Sequence, residues 1–144
     1  HVIRHAPETR RGVWRTESVL HVSGQAEHLP RRVTDFLRAE ARREIHPRVA
    51  ALTAELGRRP GRITIRDTRS RWGSCSGHGN LNFSWRLVLA PEAVLDYVVA
   101  HEVAHMRHMN HGAAFWRLVR DLTEEVAGPR AWLHQNGERL HRYG

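Results

Sequence analysis

Apolar residues recur at helical intervals along much of the chain and alternate with polar ones in two shorter stretches. Val33, Phe36, Leu37, Ile45, Val49, Leu52 and Leu56 mark one face of a helix beginning near Arg31. Pro47 is expected to kink or divide that helix, and Gly57 with Pro60-Gly61 to stop it. Thr16 to Ser23 reads as a strand, with Val19, Leu20 and Val22 as its apolar part. Arg62 to Arg66 alternates around Ile63 and Ile65, and a longer alternation of Leu81, Phe83, Trp85, Leu87 and Leu89 with Asn82, Ser84 and Arg86 predicts a half-buried strand. Ser76-Gly77-His78-Gly79-Asn80 is the turn between them.

The remaining elements are helical. Pro91-Glu92 has the form of a helix start, and Val94, Leu95, Val98, Val99, Val103 and Met106 follow at helical spacing. A second helix is expected over Ala113 to Val126, with Phe115, Leu118, Val119 and Leu122 inward, and a last short one around Trp132 to Leu140. The pattern is α+β, and 144 residues suit a single domain over residues 1–144 with one core.

The first of these later helices carries His101-Glu102-Val103-Ala104-His105, an H-E-x-x-H pattern. Two histidines four apart share a helix face with about 6 Å of rise between them, so their ring nitrogens can converge on one ion. Zinc, at roughly 2.0–2.1 Å from each nitrogen, suits such a pair. Glu102 is turned about 100° from His101 and flanks the ion, where a general base works through one water molecule. Against this stands the bland alternative of two surface histidines in a chain that has 12.

Three residues compete to be the third ligand. His111 lies ten residues after His101, about 15 Å along a continuous helix, so the chain must break near His108-Met109-Asn110 for His111 to reach the ion. Asn110 and Gly112 permit such a turn. Glu125, 24 residues after His101, is the rival, although it also reads as part of a solvated acidic helix end with Glu124. His111 is the first choice and Glu125 the second, while His108 fits a supporting or substrate-facing role. H-E-x-x-H-x5-H resembles the metzincin pattern, but His108 stands where metzincins carry glycine and no methionine follows the motif. Three protein ligands leave an open position, as in catalytic rather than structural zinc sites.

Composition bounds the setting. The 23 basic residues are all arginine, against 15 acids, for a net charge of +8 that favours anionic partners, nucleotide or nucleic acid included. Seven arginines and one acid, Asp67, lie between Arg58 and Ala90. A solvated basic face is the plain alternative to a substrate-binding one. No run approaches the roughly 18 apolar residues of a membrane span, and no signal-like stretch is read. Cys75, the single cysteine, excludes a disulfide framework and suits a reducing compartment, so a cytoplasmic location is expected.

Two separate motifs, in order, carry a resemblance. Arg69-Ser70-Arg71-Trp72-Gly73-Ser74-Cys75, Leu81-Asn82, Trp85-Arg86-Leu87 and Ala90-Pro91 precede His101-Glu102-Val103-Ala104-His105, Asn110-His111 and Phe115-Trp116. Together they resemble the YgjP-like and SprT-like zinc metallopeptidases, most closely the YgjP-like branch, over roughly Arg31 to Leu140. Residues 1–30 match less clearly. The resemblance implies a zincin-like fold, with a small antiparallel sheet over the active-site helix. It also implies one zinc held by His101, His105 and His111, with Glu102 as base. Arg71, then Arg69, become candidates for binding substrate or the oxyanion, and Trp72 for a pocket floor, although a core tryptophan is the simpler reading.

The expected chemistry is hydrolysis by a water molecule that zinc acidifies and Glu102 deprotonates, Glu102 then returning the proton to the leaving amine. A polypeptide substrate is expected first. A metal-dependent nucleotide pyrophosphohydrolase is the alternative, since arginines around such a site also suit phosphoanhydrides. A DNA-associated SprT-like protease is the third reading, ranked lower because no nucleic-acid-binding module is visible.

Overall fold

A computed structural model describes residues 2–5, 13–16, 19–22, 29–68 and 70–141, with the backbone alone described up to residue 30. Three short strands open the chain: β1 (Val2–His5), β2 (Val13–Thr16) and β3 (Val19–Val22). They form a sheet of order β1-β3-β2, with β1 parallel and β2 antiparallel to β3. Of the strand expected over Thr16–Ser23, Thr16 ends β2 and Val19–Val22 form β3, while residues 17, 18 and 23 lie outside the described residues; β1 and β2 were not foreseen.

α1 (Leu29–Leu56) runs for 28 residues without the expected division at Pro47. Pro47 and Arg43 are both exposed, so water can satisfy the Arg43 carbonyl that proline cannot bond. Val33, Leu37, Ala41, Ile45, Val49 and Leu56 are buried along the opposite face. The helix stops as foreseen at Gly57, whose φ of 68° is a conformation that disfavours side chains. The Gly57 N–H donates to Ala54 O and the Arg58 N–H to Thr53 O, the paired bonds of a Schellman cap.

A second sheet has the order β4-β6-β5, from β4 (Ile63–Arg66), β5 (Gly73–Cys75) and β6 (Leu81–Ser84). It is mixed where an antiparallel sheet was expected. β5 and β6 form a hairpin, but the chain between β4 and β5 crosses over, so that β4 pairs parallel to β6, Ile63 opposite Leu81. The alternation from Leu81 to Leu89 also overstated the strand. After Ser84 the chain tightens into a 3-10 helix, Trp85–Leu89, whose start is capped by the Ser84 hydroxyl accepting the Arg86 N–H.

Trp85, Arg86, Leu87 and Val88 are all buried there. Arg86, which alternation would have pointed outward, is 0% exposed. Its guanidinium bonds Asp67 Oδ1 and Thr68 O and lies 4.3 Å over the Trp85 ring. The buried charge is therefore paired, and the crossover loop is tied to the core.

α2 (Glu92–Ala104) begins after Pro91, as the sequence indicated. Nine of its residues are buried, because α1, the second sheet, α3 and α4 pack around it. α3 (Ala113–Leu122) ends four residues before the expected boundary, and α4 (Ala127–His141) starts earlier than foreseen. Leu81, Phe83, Trp85, Leu87, Val98, Val99 and Val103 form the centre of the core. Side chains of this size each contribute about 1.5–3 kcal/mol when fully buried. Among the described residues, no helix is long and apolar enough to cross a membrane.

Candidate metal centre and active site

α2 delivers His101 and Glu102 in its last turn, and His105 caps its C-terminus. Regular helix ends at Ala104, and a turn over residues 105–107 carries the chain to the expected break near His108–Asn110. The Ala104 carbonyl accepts from the N–H groups of both Arg107 and His108, the second an i→i−4 bond that carries the helical path one turn past Ala104. The chain then reverses, and Gly112 caps α3 with ordinary extended backbone at φ −88°. His111 stands immediately before that cap.

This reversal brings the three histidines together. One nitrogen from each of His101, His105 and His111 lies within 4.8 Å of the other two. Tetrahedral coordination at about 2.0–2.1 Å puts ligand nitrogens about 3.3–3.4 Å apart, so small rotations of the rings would complete a site. The rings already pack face to edge, with centroids 5.0 Å apart for His101 and His105 and 4.7 Å for His105 and His111. Phe115 packs against all three at 4.5–5.0 Å, and Trp116 flanks His101 and His111. The donor set fits a borderline metal such as zinc. His111 is exposed, so one side of the cluster remains open to a substrate.

Two hydrogen bonds orient the rings. His105 Nδ1 lies 3.0 Å from the His108 carbonyl, which can only accept, so the proton sits on Nδ1 and Nε2 is the free ligand atom. His108 therefore supports the site through its backbone, a role its side chain did not announce. His101 Nδ1 lies 3.2 Å from Glu102 Oε2. Burial pushes His105 below the ordinary histidine range, against the opposing pull of the His108 carbonyl and the Glu102 charge. The neutral, metal-binding form is thereby favoured.

Glu102 is 6% exposed and packs against β5 at Gly73. Tyr97, one turn earlier on α2, is buried edge-on to His101 at 5.9 Å. Its hydroxyl is held protonated by burial, with the Glu102 charge adding to the effect and Arg130 opposing it.

The other expected residues are more dispersed. Glu125 is exposed between α3 and α4 and lines a separate cavity of about 450 Å³ with Arg48 and Asp96, apart from the histidines. Arg71 is exposed on a cavity of about 410 Å³ shared with Arg66, Ser70, Ser74 and Asn82. Arg69 lies outside the described residues. Trp72 stacks on His141 at 3.9 Å and packs against the core, anchoring the end of α4. Sequence reasoning missed Arg130, whose guanidinium lies 4.5 Å over Trp116, because only the turn into α4 brings it there.

A family model described as the YgjP-like metallopeptidase domain matches residues 2–136, including the opening segment that the sequence motifs left unassigned. No curated protein matches significantly. Among solved structures, the metallopeptidase zymogen of Pyrococcus abyssi abylysin superposes with a TM-score of 0.56 at 20% identity, over 68% of this chain and 96% of that one. The zymogen of Methanocaldococcus jannaschii jannalysin gives 0.51 at 20% identity, over 66% and 94%. The fold is thus of the zincin-like kind that the family resemblance implies.

Proposed function

The chain belongs to the YgjP-like metallopeptidase family and is a metal-dependent hydrolase; from that premise we propose that it is a zinc peptidase in which Glu102 is the general base. The observation that carries this reading is the convergence of His101, His105 and His111 beside a buried Glu102 carboxylate. One zinc ion per chain held by these imidazoles would supply Lewis acidity toward water and the substrate carbonyl.

The protein's own groups do the rest. Glu102 takes the proton of the attacking water and hands it to the departing amine, for which its place beside His101 and the open side of the cluster suits it. The apolar wall of Phe115 and Trp116 keeps the imidazoles oriented and limits water around them. Arg71 and Arg69 are assigned to substrate binding on the basis of their segment, which leads directly into β5 beside Glu102. The family relationship favours polypeptide as the substrate.

The deciding experiment assays casein and a panel of nucleoside triphosphates with wild type and Glu102→Ala. Casein cleavage that falls by about 10²–10⁴ in the variant while zinc stays bound supports the reading. Glu102-dependent hydrolysis of triphosphates without casein cleavage would replace it with a phosphoanhydride chemistry.

A further inference from the structure

We propose that Arg58 and Arg107 form a reciprocal clasp that positions the metal site by holding the turn after His105. The proposal rests on the zinc reading above and deepens it.

The two arginines lie on opposite sides of one junction and each reaches into the other's segment. Arg58 follows the cap of α1, and its guanidinium donates to the backbone carbonyl of Met106, in the turn directly after His105. Arg107, the next residue of that turn, donates through Nη2 to the carbonyl of Leu56, 3.1 Å away at the end of α1. The two contacts span 48 and 51 residues of sequence and meet at one place.

Leu56 O is a carbonyl that the stopped α1 leaves over, and Met106 O lies in the turn just past α2. In a continued α1, Leu56 O would take the N–H of residue 60, but that residue is Pro60 and has none. Arg107 supplies the missing donor. In a continued α2, Met106 O would take the N–H of Asn110, but the chain has already turned away. Arg58 supplies that one. Met106 is itself largely buried, and the bond gives its carbonyl a partner there. Each arginine thus bonds a carbonyl at or just past the end of the helix that it does not follow.

The consequence for the site follows from what the turn carries. Its first residue is His105, and its exit is His108, whose carbonyl fixes the His105 tautomer and ring. Three residues further on stands His111. A turn held at Met106 and Arg107 fixes the relation between the ligands on α2 and the ligand beyond the reversal. A loosened turn leaves three histidines that must be gathered each time the metal binds. Arg58 and Arg107 would act through the turn they hold and are positioning residues.

The test measures zinc affinity by chelator competition, together with thermal unfolding of the zinc-free protein, for wild type, Arg58→Gln, Arg107→Gln, Arg58→Lys, Arg107→Lys and His105→Ala. We expect each glutamine variant to bind zinc roughly 10–100-fold more weakly, the range for losing an outer partner of a metal ligand. The lysine variants, which keep a cationic donor, should recover most of that loss. A merely structural role would lower the unfolding temperature of the zinc-free protein and leave zinc affinity unchanged, and that result overturns the clasp. If one glutamine variant does not fold, its lysine counterpart and the other arginine carry the same comparison. Failure of the clasp is distinct from failure of the zinc reading. In the first, wild type binds zinc, His105→Ala does not, and the glutamine variants match wild type. In the second, His105→Ala binds as wild type does.

Discussion

Gly73 on β5 lies flat against Glu102 on α2: a β-carbon at residue 73 would stand 2.8 Å from Glu102 Cγ and 3.2 Å from its Oε2. It would also stand 3.1 Å from the carbonyl of Asn82 on the neighbouring strand, so the glycine cannot move aside cheaply. The absence of a side chain at residue 73 is what lets the strand close over the carboxylate and fix its place beside His101.

Gly73→Ala should therefore displace Glu102 while leaving the histidines in place. We expect a fall in kcat of about 10²-fold, as for a small misplacement of a reacting group, with zinc content unchanged. Overpacking should also lower stability by about 1–3 kcal/mol. Steady-state kinetics alongside metal analysis check this. Full activity in the variant would show that Glu102 is not held from this side.

His111 and Glu125 are rival third ligands; His111 lies with His101 and His105, whereas Glu125 lines another cavity. His111→Ala should lose zinc by more than the roughly 10–100-fold typical of an outer partner, whereas Glu125→Ala should bind zinc as wild type does. Chelating the metal from wild type should leave the fold largely intact, because Leu81, Phe83, Trp85 and their neighbours pack independently of the three imidazoles. Metal retention in the two variants, together with circular dichroism after chelation, measures both expectations. Loss of zinc only in Glu125→Ala would reverse the assignment.

What was legible in the sequence was what short-range spacing controls. His101 and His105 share a face because helices repeat every 3.6 residues, and Gly57 stops α1 because a cap needs its positive φ. What was hidden depended on partners distant in sequence. Leu81 to Leu89 alternates like one strand, yet Ser84 caps a 3-10 helix and Asp67 draws Arg86 inward. The parallel pairing of β4 with β6 depends on a crossover that no local pattern records. Arg58 and Arg107 each look like one more surface arginine until the ends of α1 and α2 are seen to meet.

Cys75 offers a probe of the electrostatics beside Glu102. Its thiol is pushed up from 9.0 to about 11, first by burial and then by the Glu102 charge, with Arg58 pulling the other way. A shift of about two units leaves about 100-fold less thiolate at neutral pH than in an exposed cysteine. Iodoacetamide should therefore react slowly at pH 8 and accelerate as the pH rises toward 11. Because the folded value is raised, the neutral thiol favours the folded chain below about pH 9, and that contribution is lost as the pH climbs through about 11. Glu102→Gln removes the second cause but not the first, so alkylation should speed up modestly. A reaction profile centred near pH 9 in wild type, or one unmoved by Glu102→Gln, would contradict this account.

Arg71 poses the sharpest kinetic question. A donor to the developing oxyanion acts only in the transition state, so its loss lowers kcat by about 10²–10³ with zinc content unchanged. A cation that gathers an anionic substrate acts equally in the ground state, so its loss raises KM while kcat holds. The surroundings of Arg71 favour the second role. Its side chain is exposed, and it shares its cavity with Arg66 and the hydroxyl-bearing Ser70 and Ser74. Its own carbonyl is occupied by the Thr68 hydroxyl, which fixes the backbone but leaves the guanidinium facing solvent. Arg71→Ala should accordingly raise KM several-fold at low ionic strength and leave kcat within about twofold. Added salt should raise the wild-type KM toward that of the variant, because exposed charges are screened beyond about 10 Å at 0.1 M. Arg71→Lys keeps the charge and loses the planar fork, so it should behave like wild type if attraction is the role and like alanine if bidentate binding is. A fall of 10²–10³ in kcat at constant KM would instead move Arg71 to the oxyanion. Normal kinetics at every salt concentration would reduce the segment before β5 to scaffold.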